Sequence, residues 1–427
     1  MSHSLVSEHV KHSLHNNTVA LGKWIIISIL IGNVVGFVGA IFHIALEYAQ
    51  HWNATYPWLL YCMPIAGLII VALYHYTSMD NDTGTETVIA SVRNGKLARF
   101  RMAPLIFIST ILTHLTGGSA GREGAALQLG GSIAGFFGKI LKLEDRDKRV
   151  ITMCGMSTGF SALFGTPLSA AIFAMEVESV GVMYYAALVP CMLGALCARQ
   201  VAAWWGNAPT SFVMTGVPDM TAMRTTFSLI TIGILCGIVA NVFCRVLEST
   251  RHLYQKYFPN RWYRIVVGSF LVIIFTLIIG TRDFNGAGIQ YINLAVKGQT
   301  APLAFLFKMI LTALTLTAGF RGGEIVPSFF IGATFGCVVG PIIGLSPSFA
   351  ACVGMVSLFC GVTNSPMTSI LLSYELFGGD SLLLFAPAIA ISYMTSGYHS
   401  LFHEQKIIYS KITPKYIDVF STDSPDE

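Results

Sequence analysis

Residues 117–126 read Gly-Gly-Ser-Ala-Gly-Arg-Glu-Gly-Ala-Ala, and an apolar run follows from Leu127 to Ile140. The glycines allow the backbone to approach a ligand closely, and the run predicts a helix that starts at Glu123. The start of a helix has unpaired N–H groups and a positive dipole end, which together favour an anion. We therefore predict that the Glu123 carboxylate can occupy the place of an anion, and that protonation would vacate this place. The alternative is a structural ion pair of Arg122 and Glu123 among packed glycines.

The composition is typical of a multi-pass integral protein of the cell membrane. Of the 427 residues, 54% are hydrophobic and only 11% are charged, whereas soluble proteins carry about 25% charged residues. The net charge of +4 is small, so we do not expect nucleic-acid binding. The nine cysteines are scattered through apolar segments without a CxxC pair. We therefore expect no disulfide, no metal site and no cofactor.

The apolar segments fall into two series separated by a polar linker. We divide the chain into an N-terminal cytoplasmic segment (1–23), a first transmembrane repeat (24–205), a linker (206–225), a second transmembrane repeat (226–408) and a short C-terminal tail (409–427). Several predicted helices are too short to span about 30 Å of hydrocarbon, and Gly or Pro interrupts them. Broken helices at membrane depth are tolerated where they line a cavity or are buried in protein. The sequence thus predicts an all-α polytopic membrane protein, a transporter or channel.

The two series repeat one another. Three pairs recur at offsets of 199 to 201 residues, namely Pro167 with Pro366, Glu176 with Glu375, and Glu123 with Glu324. Such matches indicate an internal duplication, which in transporters places the substrate between the two repeats near the membrane midplane. We predict inverted-topology repeats whose broken helices meet at a midplane anion site. Because the carboxylates at 176 and 375 are duplicated, we expect them to be architectural.

The second copy of the motif, residues 321–327, reads Arg-Gly-Gly-Glu-Ile-Val-Pro. Pro327 suits the first turn of a helix because its missing N–H costs nothing there. The N–H groups of Ile325 and Val326 are then free to point at an anion. Glu324 makes the site acidic as well as electropositive, and a carboxyl group removed from water holds its proton more readily. The alternative is that Glu324 only forms a structural ion pair with Arg321 or Arg122.

These segments resemble the CLC family of anion channels and proton-coupled antiporters, over roughly residues 24–410. Residues 121–124 stand where that family has its gating-glutamate motif, and residues 322–327 where it has its second anion-binding loop. More narrowly, residues 101–105 and 113–124, with the acidic pair Gly-Glu at 323–324, resemble the CLC-F subclass, which exchanges fluoride for protons.

The resemblance implies two inverted halves and a homodimer with one pore per subunit, with membrane lipid as its surroundings. It assigns Glu123 the role of external gate and proton carrier, and we expect Glu324 to share the gating and proton-carrying work. The implied anion-binding residues are Gly121, Arg122, Gly124, Gly323, Ile325, Val326, Gly84, Thr85, Tyr398 and Phe402.

The sequence departs from the family pattern at several implied positions. The first anion-binding loop reads Thr-Gly-Thr-Glu-Thr at 83–87 instead of Gly-Ser-Gly-Ile-Pro, and from the residues alone it is either a hydroxyl-rich anion loop or a solvated turn. Val326 replaces a threonine expected of the fluoride subclass. Val177 stands where chloride/proton members often have an inner glutamate. The pore tyrosine aligns best with Phe402, while Tyr398 lies close enough to substitute.

Three functions follow from these observations. The first is proton-coupled export of a small anion, fluoride, in exchange for protons. The second keeps the fold but makes the protein a chloride/proton antiporter or a passive chloride channel. The third is a membrane enzyme that uses Glu123 and Glu324 as an acid–base pair. A nucleophile or metal cluster beside the glutamates would support the third, and the sequence shows neither, so we predict a transporter rather than an enzyme.

Overall fold

A computed structural model describes residues 2–80 and 82–421, with side chains from residue 18 onward. In the first half the α-helices are α1 (Ser2–Thr55), α2 (Met63–Tyr76), α3 (Thr85–Asn94), α4 (Met102–Leu115), α5 (Glu123–Ile140), α6 (Asp145–Phe164), α7 (Pro167–Glu176) and α8 (Leu188–Trp204). In the second half they are α9 (Met223–Tyr257), α10 (Arg261–Ile279), α11 (Ile289–Val296), α12 (Ala304–Ala318), α13 (Ile325–Val339), α14 (Pro347–Thr363), α15 (Pro366–Phe377) and α16 (Leu382–Thr395).

Six helical segments of the described chain are long and apolar enough to cross a membrane. Others are apolar but too short, among them α4 and α12, which precede the two glycine motifs. At 14 and 15 residues each of these extends only about 21–23 Å along its axis, less than a hydrocarbon core of about 30 Å. The predicted polytopic helical architecture with broken helices is confirmed.

The first helices of the two halves, α1 and α9, run in opposite directions. Arg261 follows the end of α9 and contacts the carboxylate of Asp80 at 3.1 Å. Asp80 follows α2, which returns from the far end of α1, so α9 ends on the side of the molecule from which α1 runs toward Thr55. The repeats therefore have the predicted inverted topology. Between them, residues 205–222 form neither helix nor strand, so the predicted linker (206–225) extends three residues into α9, which begins at Met223.

Glycines let the helices that follow the two motifs pack against their neighbours with backbones in contact. A Cβ atom on Gly130 of α5 would lie 2.0 Å from the carbonyl oxygen of Gly155 of α6. In the second repeat a Cβ on Gly332 of α13 would lie 2.4 Å from the carbonyl oxygen of Gly354 of α14. The same close packing thus supports the two motif helices, and their starting points are held rigidly.

The duplicated glutamates cap each other's helices across the two repeats. The Glu375 carboxylate, near the end of α15, accepts hydrogen bonds from the N–H groups of Leu168 and Ser169 at the start of α7, both at 2.9 Å. Glu176, at the end of α7, accepts equivalent bonds from the first turn of α15 at 3.0 and 2.8 Å. A carboxylate at a helix start satisfies unpaired donors and interacts favourably with the dipole. This geometry gives the glutamates the architectural role predicted for them.

A small sheet, not predicted from the sequence, joins the end of the first repeat to the C-terminal segment. Its strands are β1 (Ser179–Val180), β2 (Lys406–Tyr409) and β3 (Tyr416–Phe420). β2 lies in the middle, parallel to β1 and antiparallel to β3. Strands of two to five residues are too short for an alternating pattern to stand out. The predicted tail (409–427) thus contributes the strand β3. Residues 422–427 of this tail lie outside the described residues, as does Met1 of the predicted segment 1–23.

Replacing Glu375 by alanine should destabilise the protein. The substitution leaves two helix N–H groups without their charged acceptor, which costs on the order of 2–3 kcal/mol of the free energy of unfolding. The readout is the thermal midpoint of the detergent-solubilised protein, with Asp380→Ala, at an exposed position three residues beyond the helix, as the matched control. Equal midpoints for the two variants would contradict the capping role.

Candidate functional site

The two glycine motifs meet through their backbones. The N–H of Gly121 donates to the carbonyl oxygen of Gly323 at 2.6 Å, and the N–H of Gly323 donates back to the carbonyl oxygen of Gly121 at 2.9 Å. The pair forms an isolated antiparallel bridge. Because α5 and α13 each begin two residues beyond the bridging glycine, the bridge brings two helix starts from opposite repeats to one place.

The bridge leaves no room for side chains. A Cβ atom on Gly323 would lie 2.6 Å from the backbone nitrogen of Gly124, and one on Gly121 would lie 3.1 Å from the backbone nitrogen of Val326. The first-turn N–H groups of α5 and α13 have no partners within their own helices. Bare backbone donors therefore surround the point where the repeats meet, as an anion site requires.

Glu123 folds back onto the start of its own helix. Its side chain is fully buried, and Oε2 accepts a hydrogen bond from the backbone N–H of Arg122 at 3.1 Å. The other oxygen, Oε1, lies 3.4 Å from Nε of the same arginine. The carboxylate thus occupies the positive end of α5, the place where an anion would bind.

A chain of polar side chains connects Arg122 to the surface. Its Nη1 lies 2.7 Å from Nδ1 of His43 on α1, and Nε2 of His43 lies 3.2 Å from Oε1 of Glu47. An arginine can only donate, so Nδ1 of His43 accepts and Nε2 carries the hydrogen that faces Glu47. The Glu47 side chain is 66% exposed, so these polar side chains run from the protein surface to the residue beside the buried carboxylate.

A cavity of about 430 Å³ reaches the same point from the other end of the molecule. Gly84, Thr85, Gly322, Glu324 and Phe402 are among the residues that line it. Thr85 lies at the start of α3, and its hydroxyl donates a hydrogen bond to the carbonyl oxygen of Gly124 at 3.3 Å. Gly124 is the residue after Glu123. A third helix start therefore joins the first two, and the cavity ends at the bridge without including Glu123.

Comparison with known proteins identifies the family. The profile described as voltage gated chloride channel matches residues 66–397. The chain belongs to this family. The curated chloride/fluoride channel protein of Pseudomonas syringae pv. tomato is 33% identical over 398 residues, which cover 92% of this chain and 88% of the relative.

Solved structures agree with this assignment. The crystal structure of a CLC-type fluoride/proton antiporter covers 91% of this chain and 98% of its own, with a TM-score of 0.87 and 30% identity. A slow cyanobacterial Cl⁻/H⁺ antiporter has a TM-score of 0.76 over 87% of this chain and 94% of its own, with 20% identity, and shows the fold alone. The CLC resemblance, the predicted fold, the membrane location and transmembrane anion transport are confirmed.

Most of the predicted site residues of this CLC protein lie together. The bridge and the two helix starts contain Gly121, Arg122, Glu123, Gly124, Gly323, Glu324, Ile325 and Val326. Gly84 and Thr85, in the loop predicted to be the first anion-binding loop, line the cavity. Gly84 lies immediately before α3 and has a positive φ of 75°. The loop 83–87 therefore contains the start of α3 at the cavity rather than a detached turn.

The structure separates the two candidates for the pore tyrosine. Phe402 is 1% exposed and lines the cavity, whereas Tyr398 does not, and its hydroxyl lies 2.7 Å from Oγ of Ser410. The side chain that faces the site is therefore a phenyl ring without a hydroxyl. Val177 is fully buried, and its carbonyl oxygen accepts a hydrogen bond from Nε2 of Gln405 at 2.9 Å. The position at which chloride/proton members often have an inner glutamate is thus occupied here by a buried apolar side chain.

Two groups of polar residues at the site were missed by sequence reasoning. One is the pair His43 and Glu47; the other is Tyr74 with the cavity arginines at 251, 261 and 264. The spacing of four residues between His43 and Glu47 puts both on one face of a helix, a detectable signal. The arginines lie on two helices, α9 and α10, and nothing in their spacing indicates that they converge.

Gly323→Ala should disrupt anion binding. The added methyl group collides with the backbone of the opposite motif, and such overpacking costs about 1–3 kcal/mol, roughly a 5- to 150-fold loss of affinity if it falls on the bound state. Calorimetric titration of the detergent-solubilised protein with fluoride and chloride measures this. The control is Gly22→Ala, where no heavy atom lies within 4 Å of the new Cβ. Equal affinity in both variants would show that the bridge does not shape the site.

Proposed function

We propose that this protein is a proton-coupled fluoride antiporter that exports fluoride in exchange for protons. The proposal rests on the position of Glu324. This residue follows the bridged Gly323, immediately precedes α13 and lines the cavity. The 33% identical relative is named a chloride/fluoride channel protein, and the 30% identical solved structure is that of a CLC-type fluoride/proton antiporter. Both names support the choice of fluoride.

The chemistry of the site suits fluoride. Fluoride is small and strongly hydrated, so a site must replace its water with short, strong donors, and a hydrogen bond to an ion is roughly twice as strong as a neutral one. The first-turn N–H groups of α5 and α13 serve any halide. A protonated Glu324 adds an O–H donor, which particularly favours fluoride.

Glu123 couples the anion to the proton by competition. The ionised carboxylate holds the start of α5, so an anion can bind there only when the carboxylate leaves. Protonation removes the charge that keeps it in place, and the neutral side chain gives up the N–H donors. Each exchange of anion for carboxylate thus requires a proton to be bound or released, which is the requirement for antiport.

Charge distribution supports an orientation with the cavity facing the cytoplasm. The helix ends and the 141–144 loop near the cavity end are rich in basic residues, namely Lys139, Lys142, Arg146, Lys148, Arg149 and Lys256. Lys23, in the first half of α1, contacts Asp147 in this region. The linker at 205–222 contains no lysine or arginine. Basic loops remain on the cytoplasmic side of a membrane, so anions enter the cavity from inside the cell, and the segment 1–23 is cytoplasmic.

We also propose a homodimer in a lipid bilayer with one pore in each subunit. The resemblance to the CLC family supports the dimer. The bridge, the three helix starts and the cavity all belong to a single chain, which supports an independent pore per subunit. The mass of the detergent-solubilised complex tests the subunit number.

Phe402 and Val326 favour a second candidate, a chloride/proton antiporter or a passive chloride channel of the same fold. Neither side chain carries a hydroxyl, and the hydroxyl of Thr85 is already bonded to Gly124. A site with fewer donors discriminates less against chloride, which is larger and less strongly hydrated. On our proposal the preference for fluoride therefore rests mainly on Glu324.

Reconstitution into liposomes tests the function directly. Vesicles loaded with fluoride or chloride are diluted into anion-free buffer, and anion efflux and proton uptake are recorded together. A fluoride/proton antiporter moves fluoride faster than chloride and takes up protons in fixed proportion, even against a proton gradient. Equal rates for the two anions would favour the second candidate, and anion efflux without proton uptake would identify a passive channel.

Glu123→Gln should abolish proton movement driven by the anion gradient, because a neutral amide cannot take up and release a proton. The liposome assay with a pH electrode measures it. The matched control is Glu144→Gln, an exposed carboxylate in the loop before α6, which should couple like the unmodified protein. Unchanged proton uptake in the Glu123 variant would refute its role as proton carrier.

Glu324→Ile should lower the fluoride-to-chloride transport ratio while the protein stays folded. The substitution removes a strong hydrogen-bond donor, which weakens anion binding by about 1.5–3 kcal/mol, or roughly 10- to 150-fold in affinity. Fluoride loses more binding free energy than chloride does. Glu324→Gln keeps N–H donors and should give an intermediate ratio in the same efflux assay. An identical ratio in all three proteins would exclude Glu324 as the selectivity determinant.

A further inference from the structure

We propose that a groove at the ends of α3 and α5 binds the phosphate headgroup of an anionic membrane lipid. Residues 94–97, 138–139, 142–143, 145 and 148 line this lysine groove, which shares no lining residue with the cavity at the bridge. Both helices begin near the bridge, and at 10 and 18 residues they extend about 15 and 27 Å away from it. The groove is therefore a separate site, and its ligand is not the transported anion.

Lysines give the groove its positive charge. Its walls enclose about 660 Å³ and carry four lysines, at 96, 139, 142 and 148, against a single carboxylate, that of Asp145. Asp145 pairs with Lys148 at 2.7 Å. Within the described residues the ammonium groups of Lys96, Lys139 and Lys142 have no ion pair or hydrogen bond, and all three side chains are exposed. A ligand can therefore reach three cations that the protein itself does not neutralise.

The lysines come from different segments and meet in one place. Lys96 lies in the loop between α3 and α4, whereas Lys139 and Lys142 lie three residues apart at the end of α5. Like charges at this spacing repel one another. A phosphate group carries several acceptor oxygens and a negative charge, so it provides the counter-charge for all three lysines.

Backbone contacts form a rigid base for the groove. A Cβ atom on Gly135 of α5 would lie 3.0 Å from the carbonyl oxygen of Ala98, so the loop between α3 and α4 packs directly on α5. A Cβ on Gly95, at the end of α3, would lie 3.3 Å from the carbonyl oxygen of Asp145 at the start of α6. Close packing of this kind leaves little freedom for relative movement. The bases of the lysines are therefore held at fixed separations.

Lys142 occupies a backbone position that favours glycine. Its φ of 50° lies in the left-handed region, which residues with a side chain seldom adopt. The N–H of Leu143 donates to the carbonyl oxygen of Gly138 at 3.1 Å and closes the turn after α5. Helices commonly end with glycine in this conformation. The chain thus keeps a lysine side chain in the groove at a position where glycine would be less strained.

An apolar surface adjoins the groove and indicates a lipid rather than a soluble phosphate. Phe136 and Ile140 lie one turn apart on α5, on either side of Lys139, and both are exposed. Phe100 is also exposed, and its ring centre lies 4.7 Å from that of Phe136. In a membrane protein such a surface faces acyl chains. A phospholipid places its phosphate in the groove and its chains on these side chains, whereas free phosphate uses only the lysines.

The start of α6 marks the depth of the groove in the membrane. Lys23 contacts the carboxylate of Asp147 in the first turn of α6. Trp24 follows, and the long apolar run of α1 begins there. Lysine and tryptophan beside an apolar span are typical of the membrane–water interface. The groove therefore lies at the level of the headgroups, where basic pockets between helices bind anionic lipids. On the proposed orientation this is the cytoplasmic leaflet.

Lys139→Gln/Lys142→Gln tests the site, with Lys256→Gln/Lys415→Gln as the matched control. The control removes the same charge from two exposed lysines outside the groove. Native mass spectrometry of the detergent-solubilised protein measures its affinity for phosphatidylglycerol. Each lysine at a membrane surface contributes roughly 5-fold to the binding of an anionic lipid, so the groove variant should bind about 30-fold more weakly than the control. Equal affinities in the two variants would overturn the site.

Two further ligands establish what the groove recognises. Phosphatidylcholine with the same chains has no net charge, so it should bind the unmodified protein more weakly than phosphatidylglycerol does. Inorganic phosphate lacks chains and should show no saturation at millimolar concentrations in a calorimetric titration. Equal affinity for the two lipids would refute recognition of the anionic headgroup. Saturable phosphate binding that is lost in Lys139→Gln/Lys142→Gln would assign the groove to a soluble phosphate compound and overturn the lipid.

Lys142→Gly separates a binding role from a structural one. Glycine adopts the left-handed conformation without strain, so the thermal midpoint of this variant without added lipid should equal or exceed that of the unmodified protein. Its affinity for phosphatidylglycerol should nevertheless fall about 5-fold. A lower midpoint with unchanged lipid affinity would show that the lysine is structural and would overturn its part in the site.

The lipid measurements do not depend on the proposed function. They are made in detergent without transport, so neither the identity of the anion nor the orientation in the membrane affects them. Phosphatidylglycerol affinity should fall as ionic strength rises, because salt screens the lysines. An affinity that does not change with salt would contradict an electrostatic headgroup site, whichever anion the protein carries.

Discussion

The reciprocal hydrogen bonds between Gly121 and Gly323 are the contact on which the site depends. They fix the two motifs at backbone distance, where a Cβ on Gly323 would collide with the facing chain and one on Gly121 would be in tight contact with it. The first-turn N–H groups of α5 and α13 have no partners within their own helices. On the proposed function, these donors surround an anion without reorganisation.

The rest of the fold keeps those two backbones in register. The crossed caps of Glu176 and Glu375 tie the repeats together at a second place, away from the bridge. Glycine contacts between α5 and α6, and between α13 and α14, hold the helices that begin at the site. Each half therefore completes the other, and on the proposed function the buried Glu123 is the titratable group whose movement admits the anion.

The duplicated motifs and their common offset were sufficient to predict the inverted repeats and the meeting of the two loops. Glycine, proline and glutamate at a helix start act through their local backbone, so their structural role can be predicted from neighbouring residues in the sequence. The contacts of Arg122 with His43 and of Tyr74 with Arg321 could not be predicted, because the residues of each pair are far apart in the chain. The choice between Tyr398 and Phe402 depended on the sheet, whose strands are too short to show periodicity.

That sheet has a consequence for how the protein is made. The carbonyl oxygen of Phe402 accepts a hydrogen bond from the Ser421 hydroxyl at 2.8 Å, and the N–H of Ser421 donates to the carbonyl oxygen of Gln405 at 3.0 Å. The wall of the cavity is thus secured by a residue that follows α16, the last of the described helices. The chain can therefore form α1 to α16 first, and this wall acquires these two hydrogen bonds only after Ser421 has left the ribosome.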